Sequence, residues 1–404
     1  MEIFKKQNLT TMGGKRIFVY CEDAPVDRNV VAHGLHRAAT PILRSVRDHI
    51  EGIAIYPIGL RFPDCDFDQE LLHLCASLPL IPTILCKILR RYPALGMKIA
   101  EELPARLLAP VVKRSRADTL FCFVGADIGT LMRAVRLAAL AGKAYAFYVV
   151  DDFISPLRLA GMPEFAVQNA AEQARMVLRG ASHVFTITDG LGELLRNNYG
   201  VSSTTLSLAF EPEPRLMLPA KNQIIYVGSI NFLYADGLHD LFKAVERVRR
   251  TSSTDLTVRL TVHAKAATRE LGELPPFVVS APVENSEGLA REIASSLFAF
   301  LPSSFDLPQK TMVATSFPSK SLEYLAYARS IVVYGPEYGV TTKRFLEANL
   351  PYVVSSPIEL EEIVRAHLSI QPEYSAMYSK YLAATHSLTG SRKTLCAGLG
   401  LEEL

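Results

Sequence analysis

The run Ser316 to Ala326, SFPSKSLEYLA, sets a lysine and a carboxylate three residues apart directly after a proline-containing loop. On a helix Lys320 and Glu323 share one face, while Leu322, Leu325 and Ala326 make the apolar stripe that rests on a sheet. The first turn of a helix offers unpaired N–H groups and the positive end of the dipole, so a cation added there suits a diphosphate. A carboxylate one turn deeper suits a sugar diol.

Other residues have the right types for chemistry. The strand-like run AYAFYVV ends in Asp151 and Asp152, before a loop containing Pro156. Either carboxylate becomes a competent general base for a hydroxyl if burial or its neighbour's charge raises its pKa; the competing use is to cap the next helix. Gly228 and Ser229 close the run IIYVGS, where a glycine lets backbone approach a phosphate and the serine offers a hydroxyl. His33 and His36, three apart after the first strand's loop, are candidate donors to a phosphate or substrate hydroxyl at a cleft. Asp64, Asp66 and Asp68 precede a helical pattern and read as complements to its N-terminus rather than metal ligands. No His and Cys cluster has zinc spacing, and no metal is expected. Gly190 and Gly192 begin a GxGxxG pattern that ends in Leu195, and no GxxxxGK[ST] occurs, which argues against dehydrogenases and P-loop kinases.

These residues need a scaffold, and the chain of 404 residues alternates short apolar strands with amphipathic helices. Strands are expected at Arg16 to Cys21, Ile53 to Ile58, Phe121 to Val124, Ala144 to Val150, His183 to Ile187 and Thr205 to Leu208. A proline-rich stretch, EPEPRLMLPAKN, then interrupts the pattern, and six more strands follow from Ile224. Near-continuous apolar strands separated by helices predict parallel sheets covered on both faces, in two α/β domains. The expected division is 1–216, 217–370 and a helical tail, 371–404, that packs back on the first domain and drifts after one or several turns into SLTGSRKTLCAGLG.

A net charge of +2 argues against wholesale nucleic-acid binding, and six cysteines without a CxxC pair read as reduced, packed thiols. The basic exception is local. Between residues 80 and 116, eight Lys and Arg residues face only Glu101 and Glu102 among Leu, Ile, Pro and Val, a mixture that can lie on an anionic membrane surface. No uninterrupted apolar run reaches the length of a membrane span or signal peptide, so the expected location is cytoplasmic, at the inner face of the membrane.

Taken together, IIYVGSINFLYADGLHDLFKAVERV, FPSKSLEYLAYARSIVVYG and ASHVFTITDGLGELLRNNYG resemble GT-B glycosyltransferases of the large family-4-like group. That resemblance implies two Rossmann-like parallel-sheet domains facing across a cleft, a nucleoside diphosphate sugar as co-substrate with no resident cofactor, and a lipid-linked or polysaccharide-precursor acceptor. It makes Lys320 a diphosphate ligand and Glu323 the ribose carboxylate, with Pro318 and Ser319 shaping their loop. YVVDDFIS is similar to the segment holding the proposed catalytic aspartate of bacterial exopolysaccharide glucuronosyltransferases, which implies Asp152 as base and Asp151 as its alternate. Eight residues before Glu323, where the family carries a second glutamate, stands Thr315, and the basic residue after the first glycine turn is absent. A nucleotide-sugar epimerase of the same fold and a catalytically degenerate partner subunit are the alternatives.

Overall fold

A computed structural model describes residues 14–21, 35–55, 72–74, 105–211 and 218–402. Its frame is two parallel sheets. The first contains β1 (Ile17–Cys21), β2 (Ile50–Ile55), β3 (Leu72–Leu74), β4 (Thr119–Val124), β5 (Ala144–Val149), β6 (His183–Thr186) and β7 (Thr204–Thr205), in the order β3-β2-β1-β4-β5-β6-β7. The second contains β8 (Lys221–Tyr226), β9 (Thr257–Leu260), β10 (Val278–Ser280), β11 (Ser296–Pro302), β12 (Ile331–Tyr334) and β13 (Val353–Val354), in the order β10-β9-β8-β11-β12-β13. Every residue of β1 and of β11 is buried, as a strand covered by helices on both faces requires.

The helices α1 (Leu35–Ser45), α2 (105–114), α3 (Ile128–Ala141), α4 (Ser155–Leu159), α5 (Glu164–Arg179) and α6 (Asp189–Tyr199) accompany the first sheet. With the second go α7 (Ala235–Ser252), α8 (Ala264–Leu271), α9 (Ser286–Ser295), α10 (Lys310–Thr315), α11 (Lys320–Tyr327), α12 (Val340–Glu347) and α13 (Pro357–Ile370). Both sheets reverse strand order beside their first strand, between β1 and β4 and between β8 and β11. Ligands of such sheets bind outside the carboxyl ends of the strands at that reversal.

The chain closes with α14 (Ser375–Thr385) and α15 (Leu388–Leu399). The expectation that SLTGSRKTLCAGLG lacks regular structure is corrected: it is α15, capped by the Ser387 hydroxyl, which accepts from the Gly390 N–H at 3.1 Å. Its glycines, which lower helix propensity, serve close packing. A Cβ at Gly398 would stand 2.4 Å from the Phe185 ring. Arg392 on the same helix grips both Asp48 oxygens, at 2.8 and 2.7 Å, and so fastens the tail to the end of α1. The strand foreseen at Thr205 to Leu208 is shorter, because only the Leu206 N–H still donates to β6, at Thr186 O, before the chain leaves the sheet edge.

Candidate active site

Lys320 is the first residue of α11, and the loop before it is closed by Ser321 N–H donating to Pro318 O and Leu322 N–H to Ser319 O, at 3.0 and 3.1 Å. The lysine is buried, 6% exposed, with its head group over two aromatic rings. Its ammonium nitrogen sits 3.9 Å from the ring centroid of Tyr226 and 3.8 Å from that of Tyr234, and it donates to the Tyr226 hydroxyl at 2.6 Å. The Tyr226 hydroxyl donates in turn to Ser229 O at 2.7 Å. The cation is therefore held by π-faces and an oriented hydroxyl at the carboxyl end of β8. Glu323, half-buried, follows one turn along the helix.

Gly228 stands at this strand end with φ of 89°, a conformation that favours glycine, and a Cβ there would meet only Lys320 Cε, at 3.9 Å. Backbone freedom, not space, is thus what the position demands. Its N–H donates to Thr261 Oγ1 at 3.1 Å, and the Val227 N–H donates to Tyr324 Oη at 2.7 Å, so both groups already have partners in this conformation. Ser229 is exposed.

The two aspartates after β5 have different surroundings. Asp152, 4% exposed, accepts the N–H groups of Ile154 and Ser155 at 3.1 and 3.0 Å and so caps the turn into α4. Asp151 faces the second domain, accepting from Ser316 Oγ at 2.7 Å. Its carboxyl is pushed up to about 6, first by burial, with the Asp152 charge adding to the rise and the Ser316 bond opposing it. Burial first, and the Asp151 charge second, also push the Tyr234 hydroxyl up. Tyr234 therefore neighbours both Lys320 and Asp151. The structure brings Asp151, Ser316, Tyr234, Tyr226 and Lys320 into one constellation between the sheets.

Thr315 is spent on structure: its hydroxyl donates to Thr311 O at 2.8 Å, and its carbonyl accepts from Thr188 Oγ1 at 2.6 Å across the domains. His33, the side chain of His36, Asp64, Asp66, Asp68 and residues 80–104 lie outside the described residues. What is described of the basic stretch is α2, which buries Ala105, Leu108, Ala109 and Val112 while exposing Arg106, Leu107, Lys113 and Arg114. A shallow cavity of about 300 Å³ lies among Arg106, Ala109, Pro110, Lys113, Arg114 and Leu140. Among the described residues no three His, Cys, Asp or Glu side chains gather as metal ligands would, and no helix is long and apolar enough to cross a membrane.

Sequence reasoning missed Tyr226, Tyr234 and Ser316. Ser316 opens the run SFPSKSLEYLA, and Tyr226 closes the strand β8 just before Gly228, but their partners are 165 and 94 residues away in the chain.

No protein-family model matches this sequence, and no curated protein does. Solved structures match over nearly its whole length. One titled OtsA apo structure aligns with a TM-score of 0.62 at 13% identity, covering 96% of this chain and 100% of the other. A UDP-forming trehalose-phosphate synthase from Burkholderia xenovorans aligns with a TM-score of 0.58 at 14% identity, covering 96% and 99%. An alpha-glucosyltransferase in complex with UDP and a 13-mer DNA aligns with a TM-score of 0.57 at 10% identity, covering 96% and 100%. At such identities the likeness establishes architecture: the chain has the GT-B fold, two Rossmann-like parallel-sheet domains facing across a cleft.

Proposed function

We propose that this chain is a glycosyltransferase that takes a sugar from a nucleoside diphosphate sugar on its second domain, 217–370, and passes it to a hydroxyl of a lipid-linked or polysaccharide-precursor acceptor on its first, 1–216. One observation carries the reading: a buried lysine and a carboxyl pushed up to about 6 both neighbour Tyr234, with Ser316 bonded across to Asp151. Nucleotide-sugar transfer needs those two things, a cation for the leaving diphosphate and a base for the incoming hydroxyl.

In this mechanism the acceptor oxygen bonds to the anomeric carbon and gives its proton to Asp151. The bond from that carbon to the diphosphate breaks, and the diphosphate leaves with the electron pair, neutralised by Lys320. Glu323 takes the ribose diol, and Pro318 and Ser319 hold the loop that aims both. Gly228 and Ser229 border the phosphates. Asp152 positions Asp151 by fixing the turn after it. Closing the cleft excludes water that would otherwise hydrolyse the donor. The nucleotide sugar is a co-substrate, and the chemistry asks for no resident cofactor.

UDP is the first nucleotide to try, since proteins of similar structure have been solved with UDP or UDP-2-fluoro glucose bound. The basic face of α2, with Leu107 45% exposed among arginines and lysine, supports a lipid-linked acceptor met at the inner face of a membrane. The test is a thermal-shift screen of the purified chain against UDP, GDP, ADP and CMP, followed by nucleotide release from the matching sugar donor with and without acceptor. A shift with one nucleotide, and release that Lys320→Ala suppresses, is expected. Absence of any shift refutes the donor site, and sugar isomerisation without acceptor assigns the chain to the epimerases instead.

A further inference from the structure

A leaving diphosphate carries more than one negative charge, and the cation assigned to it above is a single lysine, Lys320. The turn after β8, Ser229 to Asp236, contains no lysine or arginine to add a second. A further contact from that turn has to come from a neutral donor, and Tyr234 carries one.

The turn is held firmly. The Leu233 N–H donates to Asn231 Oδ1 at 2.9 Å, and the N–H groups of Tyr234 and Ala235 both reach Asn231 O, at 3.0 and 3.1 Å. It sets the Tyr234 ring centroid 3.8 Å from the Lys320 ammonium and 6.0 Å from the ring of Tyr226. Packing on the lysine accounts for the ring, and a phenylalanine would serve equally well. It does not account for the hydroxyl. Among the described residues no group hydrogen-bonds the Tyr234 hydroxyl, and the side chain does not cap α7, which begins at the next residue. The residue is half-buried, and its oxygen is not sealed from solvent as the unpartnered hydroxyl of Tyr338 is. Burial first, and the Asp151 charge second, push the phenol up, so near neutrality it keeps its proton and can donate.

We propose that Tyr234 is a further ligand of the donor: its ring face fixes the Lys320 ammonium, and its hydroxyl donates to an oxygen of the same diphosphate. The assignment rests on the donor reading given above. An ammonium over the face of a ring and a hydroxyl on the edge of that ring lie side by side, so both meet oxygens of one diphosphate. The hydroxyl gives a hydrogen bond and keeps its proton; the base remains Asp151.

Two variants separate the ring from the hydroxyl. Tyr234→Phe keeps the face that holds Lys320, and Tyr234→Leu removes both. The experiment is calorimetric titration of the full chain with whichever of UDP, GDP and ADP the native protein binds, and with the matching nucleoside. Tyr234→Phe is expected to weaken the diphosphate by about tenfold, equivalent to about 1.4 kcal/mol, and to leave the nucleoside unchanged. Tyr234→Leu should weaken the diphosphate further. Labelling with acetic anhydride, read at Lys320 by mass spectrometry, reports the ring contact without any nucleotide: Tyr234→Phe should label like the native chain and Tyr234→Leu faster. A Phe variant that binds the diphosphate as the native chain does, or that loses as much affinity for the nucleoside, overturns the role of the hydroxyl. Equal labelling of Lys320 in Tyr234→Leu and the native chain overturns the role of the ring. Failure of the native chain to bind any of the three nucleotides removes the donor reading itself, and this assignment with it.

Discussion

Replacing Asp151 with Asn removes a charge and keeps the shape, and it separates stability from catalysis. The native carboxyl titrates at about 6 rather than 3.8, chiefly because burial disfavours its anion. A rise of that size corresponds to about 3 kcal/mol against the charged form. Between about pH 4 and pH 6 the folded chain therefore holds a proton that the unfolded chain releases, so native stability falls as pH rises through that window and levels off above it. The Asn variant does not pay this cost, and its Oδ1 still accepts from Ser316. At about pH 7.5 it should be more stable than the native chain by up to about 3 kcal/mol, and the gap should close as pH falls toward 4. Urea unfolding across that range measures it. In activity the same change should cost roughly 10²–10⁴-fold, while the native kcat/KM should show an acid limb near 6. A variant that is less stable at about pH 7.5, or one that keeps both its rate and the acid limb, refutes the placement of the base at Asp151.

Lys320→Ala should lower kcat/KM and nucleotide affinity by about 10- to 100-fold, the worth of one charged hydrogen-bonding group, and steady-state kinetics with calorimetry would show it; unchanged values in both remove the diphosphate role. Arg392→Ala should destabilise by about 1 kcal/mol near neutrality. Because the Arg392 hydrogen bond chiefly holds the Asp48 carboxyl below its usual range, that contribution is present above about pH 4 and is lost as pH falls through the lowered value. A denaturant series that finds the same loss near pH 3 contradicts this. Gly398→Ala places a Cβ 2.4 Å from Phe185 and should cost about 1–3 kcal/mol, read as a fall in Tm; an unchanged Tm shows that α15 can back away.

The parallel sheets were legible because their signal is local: runs such as IFVYC and SLFAFLP are apolar on both faces, which only a doubly covered strand tolerates. Helix α15 was not, since Gly390 and Gly398 dilute its pattern and its stability comes from residues far away in the chain. Leu395 and Cys396 are fully buried, and Arg392 pairs with Asp48 across 344 residues. The strand leaving the first sheet was overdrawn for a related reason. Leu206 and Leu208 are apolar and buried, but past the Leu206 N–H the ladder ends, and Leu208 O faces His386 Nδ1 of the crossover instead of a sheet partner.

The site divides along the same line. Lys320 and Glu323 could be paired from spacing because one helix turn relates them, whereas the choice between Asp151 and Asp152 turns on a contact with Ser316, 165 residues on. Adjacent carboxyls in a sequence have equal claims until one is spent, and here Asp152 is spent on two backbone N–H groups. Thr315 extends the argument. A carboxylate at that position would lose the hydroxyl bond to Thr311 that ties the end of α10, beside the carbonyl that receives Thr188. The Thr315 side chain thus serves the end of α10, while the contact with the first domain runs through its backbone carbonyl. The carboxyl that faces Ser316 is supplied from the first domain, so the reaction proposed for this cleft depends on the two domains being held together as much as on either nucleotide ligand.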